Sequence, residues 1–242
     1  MKLLVSDFDG TFYTDDDQVK RNVEAIHEWQ EKGNTFMLSS GRSYESLKDK
    51  IDTYHIPYDF ISSEDGSHLF DTQNLLFETI MSPDIYPEIE ELISLGVHKD
   101  FQIGTTYAYL SELPEEDSIS SINFGVRRDQ ITPEFRKEWK KIKRNKQYSF
   151  LEYGYKEMVF FCIKPIGINK STPIHFLEET LPLPKSQIFT VGDNDNDKCM
   201  IEDFNGYRIG THRNLRKVIL DTYPSVEALV TDIEKQKVKT RW

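Results

Sequence analysis

The 242-residue sequence predicts an α/β fold, a parallel sheet flanked by helices, with an α+β domain inserted in its middle third. Three observations carry that prediction. Apolar runs that end in small polar residues and a glycine recur as "KLLVSDFDG", "NTFMLSSGR" and "SQIFTVGDNDND". An amphipathic segment with short connections joins the first two, so the strands of that unit run parallel. Between residues 82 and 165 the order becomes α-β-β-(β)-α-β-β, which suits an open-faced antiparallel layer.

The first strand, "KLLVSD", is an apolar run bounded by charge. The helix after it, within "QVKRNVEAIHEWQEKG", carries Val19, Val23, Ala25, Ile26 and Trp29 along one stripe, with Gly33 as its stop. Asp15, Asp16 and Asp17 precede that stripe, where carboxylates cap a helix and meet the positive end of its dipole. The inserted segment opens with a helix in "SPDIYPEIEELISLG" whose apolar side is Ile85, Ile89, Leu92 and Ile93. Strands follow in "FQIGTTYAYL" and "SISSINFGV". A second helix in "TPEFRKEWKKIKRNK" has Thr132 as its cap, Pro133 in its first turn and Phe135, Trp139 and Ile142 buried. Two further strands, "YSFLEY" and "KEMVFFCIK", are joined through Gly154. The strand-helix texture resumes in "NKSTPIHFLEETL", "QIFTVGD", "YRIG" and a last helix near "SVEALVTDIEKQ". The domains expected are therefore 1–81 with 166–242, and an insertion at 82–165.

Composition narrows the function. With 38% hydrophobic residues and no low-complexity stretch, the chain is ordered and globular. Its net charge of −11 repels a phosphate backbone, which argues against nucleic acid as a partner. The basic run from Arg127 to Lys146 is interspersed with Glu134 and Glu138 and reads as a solvated helix face. Cys162 and Cys199 have no zinc or redox spacing; Cys162 reads as a small buried residue and Cys199 as a helix residue beside the site. An aspartate at residue 7 is too early for a signal peptide, and "MVFFCI" is too short for a membrane helix. A cytoplasmic protein, monomer or weak dimer, with no membrane partner, is expected.

In parallel sheets ligands gather beyond the carboxyl ends of the strands, so the three polar bursts are expected on one rim. Side chains alternate along an extended segment, which turns Asp7 and Asp9 one way and Phe8 the other. Gly10 lets the chain turn, and Thr11 can tie the turn down. Calcium loops want glycine at their sixth position and glutamate at their twelfth. The stretch from Asp193 has Lys198 and Phe204 there, and the sixth residue from Asp7 is Phe12, so neither loop qualifies. Phosphoryl chemistry accounts for more of the residues: a carboxylate attacking a phosphate dianion needs a cation and donors to neutralise charge. Ser40 with the backbone of Gly41, Lys170 at a helix head and Asp193 as a second metal carboxylate are such parts, and Mg²⁺ suits the oxygen ligands.

In this order and spacing "DFDGT", "SSGR", "GINKS" and "GDNDND" resemble the four motifs of the haloacid dehalogenase-like superfamily, specifically its Cof-like sugar-phosphatase branch. The resemblance spans essentially the whole chain, because the insertion resembles the class II cap (subclass IIB) of that branch. It implies a Rossmann-like core and a Mg²⁺-dependent phosphatase acting on small phosphorylated metabolites, sugar phosphates above all. It implies Asp7 as the nucleophile that becomes an aspartyl phosphate. Asp9 would be the general acid and then base, with its backbone carbonyl on the metal. Ser40, Gly41 and Lys170 would hold the phosphoryl group, Asp193 would complete the metal site, and Asp197 with Asn196 would orient metal-bound water or Lys170. Two departures bear on substrate handling. Glu64-Asp65-Gly66 stands where the branch often has Glu-Asn-Gly, and Gly210-Thr211-His212 where it often has Gly-Asn-Ala. Arg42, Asp65, His212, Asn123 and Arg127, with Tyr107 and Tyr109, are the candidate substrate contacts. A phosphomutase using the same Asp7/Asp9 pair, and a non-catalytic phospho-ligand sensor, are the alternative readings.

Overall fold

The apolar run at the start forms β1 (Leu3–Asp7), and all five of its residues are buried. Such burial on both faces is what a central parallel strand requires. The computed structural model describes residues 1–95, 98–111 and 118–242. These divide into two units, one of residues 1–77 and 169–242 and one of residues 78–168.

In the first unit β1 is followed by α1 (Asp16–Glu31), β2 (Thr35–Ser39), α2 (Tyr44–Tyr54), β3 (Phe60–Ser63), β4 (His68–Phe70) and β5 (Leu75–Glu78). Asp15 caps α1 by accepting the amides of Asp17 and Gln18, and Val19, Ile26 and Trp29 are its buried stripe. Helix α2, which the sequence reading did not single out, starts at the cap Ser43 and buries Leu47 and Ile51 one turn apart.

The second unit contains α3 (Tyr86–Ser94), β6 (His98–Thr105), β7 (Tyr109–Leu110), β8 (Ile119–Arg127), α4 (Pro133–Ile142), β9 (Tyr148–Tyr155) and β10 (Met158–Pro165). The chain then returns to the first unit as α5 (Thr172–Thr180), β11 (Ile188–Gly192), α6 (Lys198–Asp203), β12 (Asn205–Ile209), β13 (Thr222–Tyr223) and α7 (Val226–Glu234).

The first unit's sheet has the order β13-β12-β11-β1-β2-β3-β4-β5. From β13 to β3 the pairings are parallel, whereas β4 runs antiparallel to β3. Strand order reverses at β1: successive strands go to one side, and the strands from the chain's second half go to the other. A switch of this kind opens a crevice at the carboxyl ends, beyond β1 and β11. Apolar clusters cover both faces, one around Phe36, Leu38 and Trp29, the other around Met37, Ile174 and Phe204.

The second unit's sheet, β7-β6-β8-β10-β9, is antiparallel throughout. One face packs Ile122, Phe124, Val126, Phe161 and Ile163 against Ile85 and Ile89 of the α3 segment and Phe135 and Trp139 of α4. Thr132 caps α4 by accepting the amide of Phe135. Two local expectations are corrected here. The β9–β10 turn is made at Lys156, with φ +52°, while Gly154 lies inside β9 opposite Val159. A lysine carries the left-handed turn because tight hairpins need positive φ regardless of residue type. Cys162 is half-buried instead of buried, because alternation along β10 puts Phe161 and Ile163 into the core and Cys162 on the other face. Among the described residues no helix is long and apolar enough to cross a membrane.

Candidate active site

At the end of β1 the two aspartates of "DFDG" meet different surroundings. Asp7 is 6% exposed and Phe8 is turned into the core, whereas the Asp9 side chain is half exposed. The turn after them closes through the Gly10 amide on the Tyr13 carbonyl (2.9 Å) and the Tyr13 amide on the Phe8 carbonyl (2.8 Å). Gly10 has φ +85°, and a Cβ there would lie 2.7 Å from Asp193 Oδ2. Glycine is thus needed twice over, for the turn and for the carboxylate that packs on it. The Thr11 hydroxyl reaches away from its own turn and donates to Asp193 Oδ1 at 2.9 Å.

Lys170 is the buried centre of the site, with no exposed surface. Asn169 places it: its side chain accepts the Ser171 amide at 2.8 Å and its own amide donates to Thr172 Oγ1 at 3.1 Å, which fixes the start of α5. The Lys170 ammonium donates to Asp7 Oδ1 at 2.6 Å and to Asp197 Oδ1 at 2.7 Å. Asp197 Oδ2 accepts the backbone amides of Asp193 (2.9 Å) and Asn194 (3.0 Å). Both oxygens of Asp197 are therefore engaged, so it braces the lysine and the loop after β11. A third carboxylate, Asp65, stands 4.0 Å from the ammonium and accepts from the Asn196 side chain at 3.0 Å.

Charge in this pocket is unbalanced. Burial alone would lower the Lys170 ammonium, but Asp7, Asp197 and Asp65 overcome it and hold the group well above the ordinary lysine range. Burial pushes the Asp7 carboxyl well above the carboxylate range; Lys170 opposes that, while Asp197 and Asp193 add to it. Asp193 is also raised, first by burial.

Beside this cluster the loop after β2 is zipped to the loop after β3. The Ser40 amide donates to Ser62 O (3.0 Å), the Asp65 amide to Ser40 O (2.9 Å) and the Glu64 amide to Arg42 O (2.9 Å). Glu64, Asp65 and Gly66 all have positive φ, at +50°, +51° and +98°. A Cβ on Gly66 would come within 2.0 Å of Asn169 O, so this loop packs on the residue that positions Lys170. The Arg42 guanidinium grips Asp9 by two parallel bonds, Nε to Oδ2 at 2.7 Å and Nη2 to Oδ1 at 2.8 Å. That pairing carries no local sequence signal, because the partners are 33 residues apart.

Comparison with known proteins decides the family. A family profile described as haloacid dehalogenase-like hydrolase matches residues 4–157 and, overlapping, 106–212. The chain is a haloacid dehalogenase-like hydrolase. It is 23% identical to the 5-amino-6-(5-phospho-D-ribitylamino)uracil phosphatase of Bacillus subtilis over 227 residues, 91% of this chain and 88% of that one. In fold it is similar to a haloacid dehalogenase-like hydrolase from Bacteroides thetaiotaomicron, with TM-score 0.77 and 17% identity over 97% of this chain and 99% of the other. A HAD/COF-like hydrolase from Plasmodium vivax gives TM-score 0.76 and 18% identity over 98% and 96% of the two chains. The hydrolase is therefore an enzyme of a phosphatase family.

The donor set of this hydrolase fits a hard divalent cation. Ligand atoms of Asp7, Asp193 and Asp197 lie within 4.8 Å of one another. Asp197 is already saturated by its three donors, which leaves Asp7 and Asp193 as the side chains suited to an ion. Both carboxyls are raised, first by burial and then by the neighbouring Asp197, and a cation held between them would favour their ionised forms. The Asp9 carboxylate stands outside this cluster, on Arg42.

The remaining candidates are spread more widely. His212 Nδ1 is 3.8 Å from Asp195 Oδ1, and Asn214, which the sequence reading did not nominate, donates to Asp195 Oδ2 at 2.9 Å. Cys199 lies in α6 with its thiol raised by burial. Asn123, Arg127, Tyr107 and Tyr109 belong to residues 78–168. There Asn123 donates to Ser121 Oγ at 3.1 Å, and Arg127 is held by Asp129 at 3.1 and 3.0 Å.

Proposed function

We propose that this hydrolase is a Mg²⁺-dependent phosphatase of small phosphorylated metabolites, sugar and polyol phosphates in particular, working through an aspartyl phosphate at Asp7. The observation that carries the reading is the buried lysine shared between Asp7 and Asp197, next to Asp193 and the Ser40–Arg42 loop. An ion pair this deep costs several kcal/mol in desolvation, and a lysine so placed suits a pocket that must receive a phosphate dianion. The phosphorylated ribityl substrate of the Bacillus relative supports a polyol or sugar leaving group.

In this reading the Ser40 hydroxyl, the Gly41 amide and Lys170 hold the phosphoryl group. The Asp7 carboxylate attacks phosphorus, the ester P–O bond breaks, and Asp9 gives its proton to the departing alkoxide. Asp9 then takes a proton from water, whose oxygen attacks the phosphorus of the acyl phosphate. Orthophosphate leaves and the Asp7 carboxylate is restored. Arg42 holds the ionised Asp9 carboxylate by both oxygens in this structure, a pairing that has to open before Asp9 carries the proton it donates, and Asp197 fixes Lys170. Asp7, Asp193 and the Asp9 backbone carbonyl are the groups that would hold Mg²⁺, which when bound neutralises charge on the phosphoryl oxygens. Residues 78–168 are assigned the substrate-selecting role of a cap.

Substituting Asp7→Asn keeps the shape and removes the nucleophile. Release of inorganic phosphate from p-nitrophenyl phosphate and from a panel of sugar phosphates should fall to background. Turnover that survives in Asp7→Asn would sink the mechanism, and organic phosphate product in place of orthophosphate would make the enzyme a mutase.

A further inference from the structure

Asp65 is the carboxylate that this mechanism does not use. It adds a third negative group beside a lysine already bonded to Asp7 and Asp197, standing 4.0 Å from the ammonium. Its Oδ1 would be 3.3 Å from a Cβ on Gly41, so it rests directly on the loop that presents Ser40 and Gly41. The Asn196 side chain and the Asp65 amide, bonded to Ser40 O, hold it there. A third of its side chain is exposed, so it faces incoming solute while sharing the pocket's lysine.

An asparagine would reproduce nearly everything else about this residue. It tolerates the left-handed backbone (φ +51°) as aspartate does and can accept the same bond from Asn196. What the carboxylate contributes is charge. Placed beside the groups assigned to the phosphoryl oxygens, a fixed negative charge opposes every dianion that enters, ester or product.

We propose that Asp65 is a fixed charge that weakens the pocket's hold on phosphate dianions, so that orthophosphate is released instead of retained as an inhibitor. The inference rests on the reading that Ser40, Gly41 and Lys170 form the phosphoryl pocket. A partly exposed charge acting on a dianion held by the neighbouring lysine corresponds to about a tenfold effect on affinity.

Inorganic phosphate is the probe. In Asp65→Asn its inhibition constant against p-nitrophenyl phosphate hydrolysis should fall about tenfold, and the phosphate-induced rise in Tm should grow. Asp65→Gly also tolerates the positive φ but loses the bond to Asn196, and it should shift both quantities in the same direction. An unchanged or higher inhibition constant in Asp65→Asn overturns the proposal, as does an effect confined to Asp65→Gly, which would assign Asp65 to tethering. Lys170→Met separates the two levels: it should abolish the phosphate-induced rise in Tm. If that rise persists undiminished, the pocket assignment itself fails, whatever Asp65 does.

Discussion

The two units of this hydrolase treat charge in opposite ways. In residues 78–168 the buried polar side chains among the described residues are the serines Ser120 and Ser121, and the core is apolar and aromatic. Ion pairs there such as Arg136–Glu152 at 2.6 Å and Lys141–Glu91 at 2.8 Å have partly exposed partners. The unit of residues 1–77 and 169–242 has equally apolar sheet faces, yet it buries Asp7, Lys170 and Asp197 at the carboxyl end of its strands. Burying charge costs several kcal/mol per ion unless partners compensate, so folding alone gives no reason to collect it. The contrast separates a region shaped by packing from one shaped by chemistry.

Removing the shared cation should break that contrast most severely. In Lys170→Met the side chain keeps its length, but Asp7 and Asp197 lose their counter-ion. We expect kcat to fall by about 10³-fold or more and stability to drop by about 3–5 kcal/mol. Phosphate-release kinetics and urea unfolding check the two effects, and near-normal values of both would make the buried triad incidental.

A smaller effect comes from His68, buried on β4 with its Nδ1 3.3 Å from Ser63 Oγ. Burial lowers its pKa from 6.5 to about 4. The unfolded chain therefore takes up this proton more readily. Stability from this group is complete above about pH 6.5 and is lost as the pH falls towards 4. Between pH 7 and pH 5 the loss is about 2 kcal/mol. Urea midpoints of the wild type and His68→Gln at the two pH values should show the variant lacking that part of the acid sensitivity. A parallel pH response in both would remove His68 from the account.

The smallest change is expected in the other unit. Lys141→Ala deletes two pairs made by a half-exposed ammonium, with Glu91 at 2.8 Å and Glu138 at 3.3 Å, and neither the urea midpoint nor phosphate release should move resolvably. A marked loss would mean that charge in residues 78–168 matters more than its exposure suggests.

Elements whose evidence is local could be read in advance. The stripe Val19, Ile26 and Trp29 announced α1 and the run Asp15 to Asp17 its cap, which Asp15 makes; Phe135, Trp139 and Ile142 with Thr132 did the same for α4. The strand runs ending in polar bursts announced a parallel sheet with its loops on one rim. Composition points to Gly154 for the β9–β10 turn because glycine favours turns, whereas Lys156 takes the positive φ. "MVFFCI" is apolar throughout and so suggests a buried Cys162, and only pairing with β8 and β9 decides which alternate residues face the core.

By itself, then, the sequence determined the periodic elements, their caps and the identity of the polar residues carried on each loop, because those properties act over a few neighbouring residues. Tertiary structure alone decided who meets whom. Lys170 reaches Asp7 across 163 residues, Thr11 reaches Asp193 across 182, Arg42 takes hold of Asp9, and Asp65 joins Asn196 across 131. No local pattern encodes those distances. They follow from strand order around β1, which brings five separate segments together, and, for Lys170, Asp7 and Asp197, from the cost of burying charge without a partner.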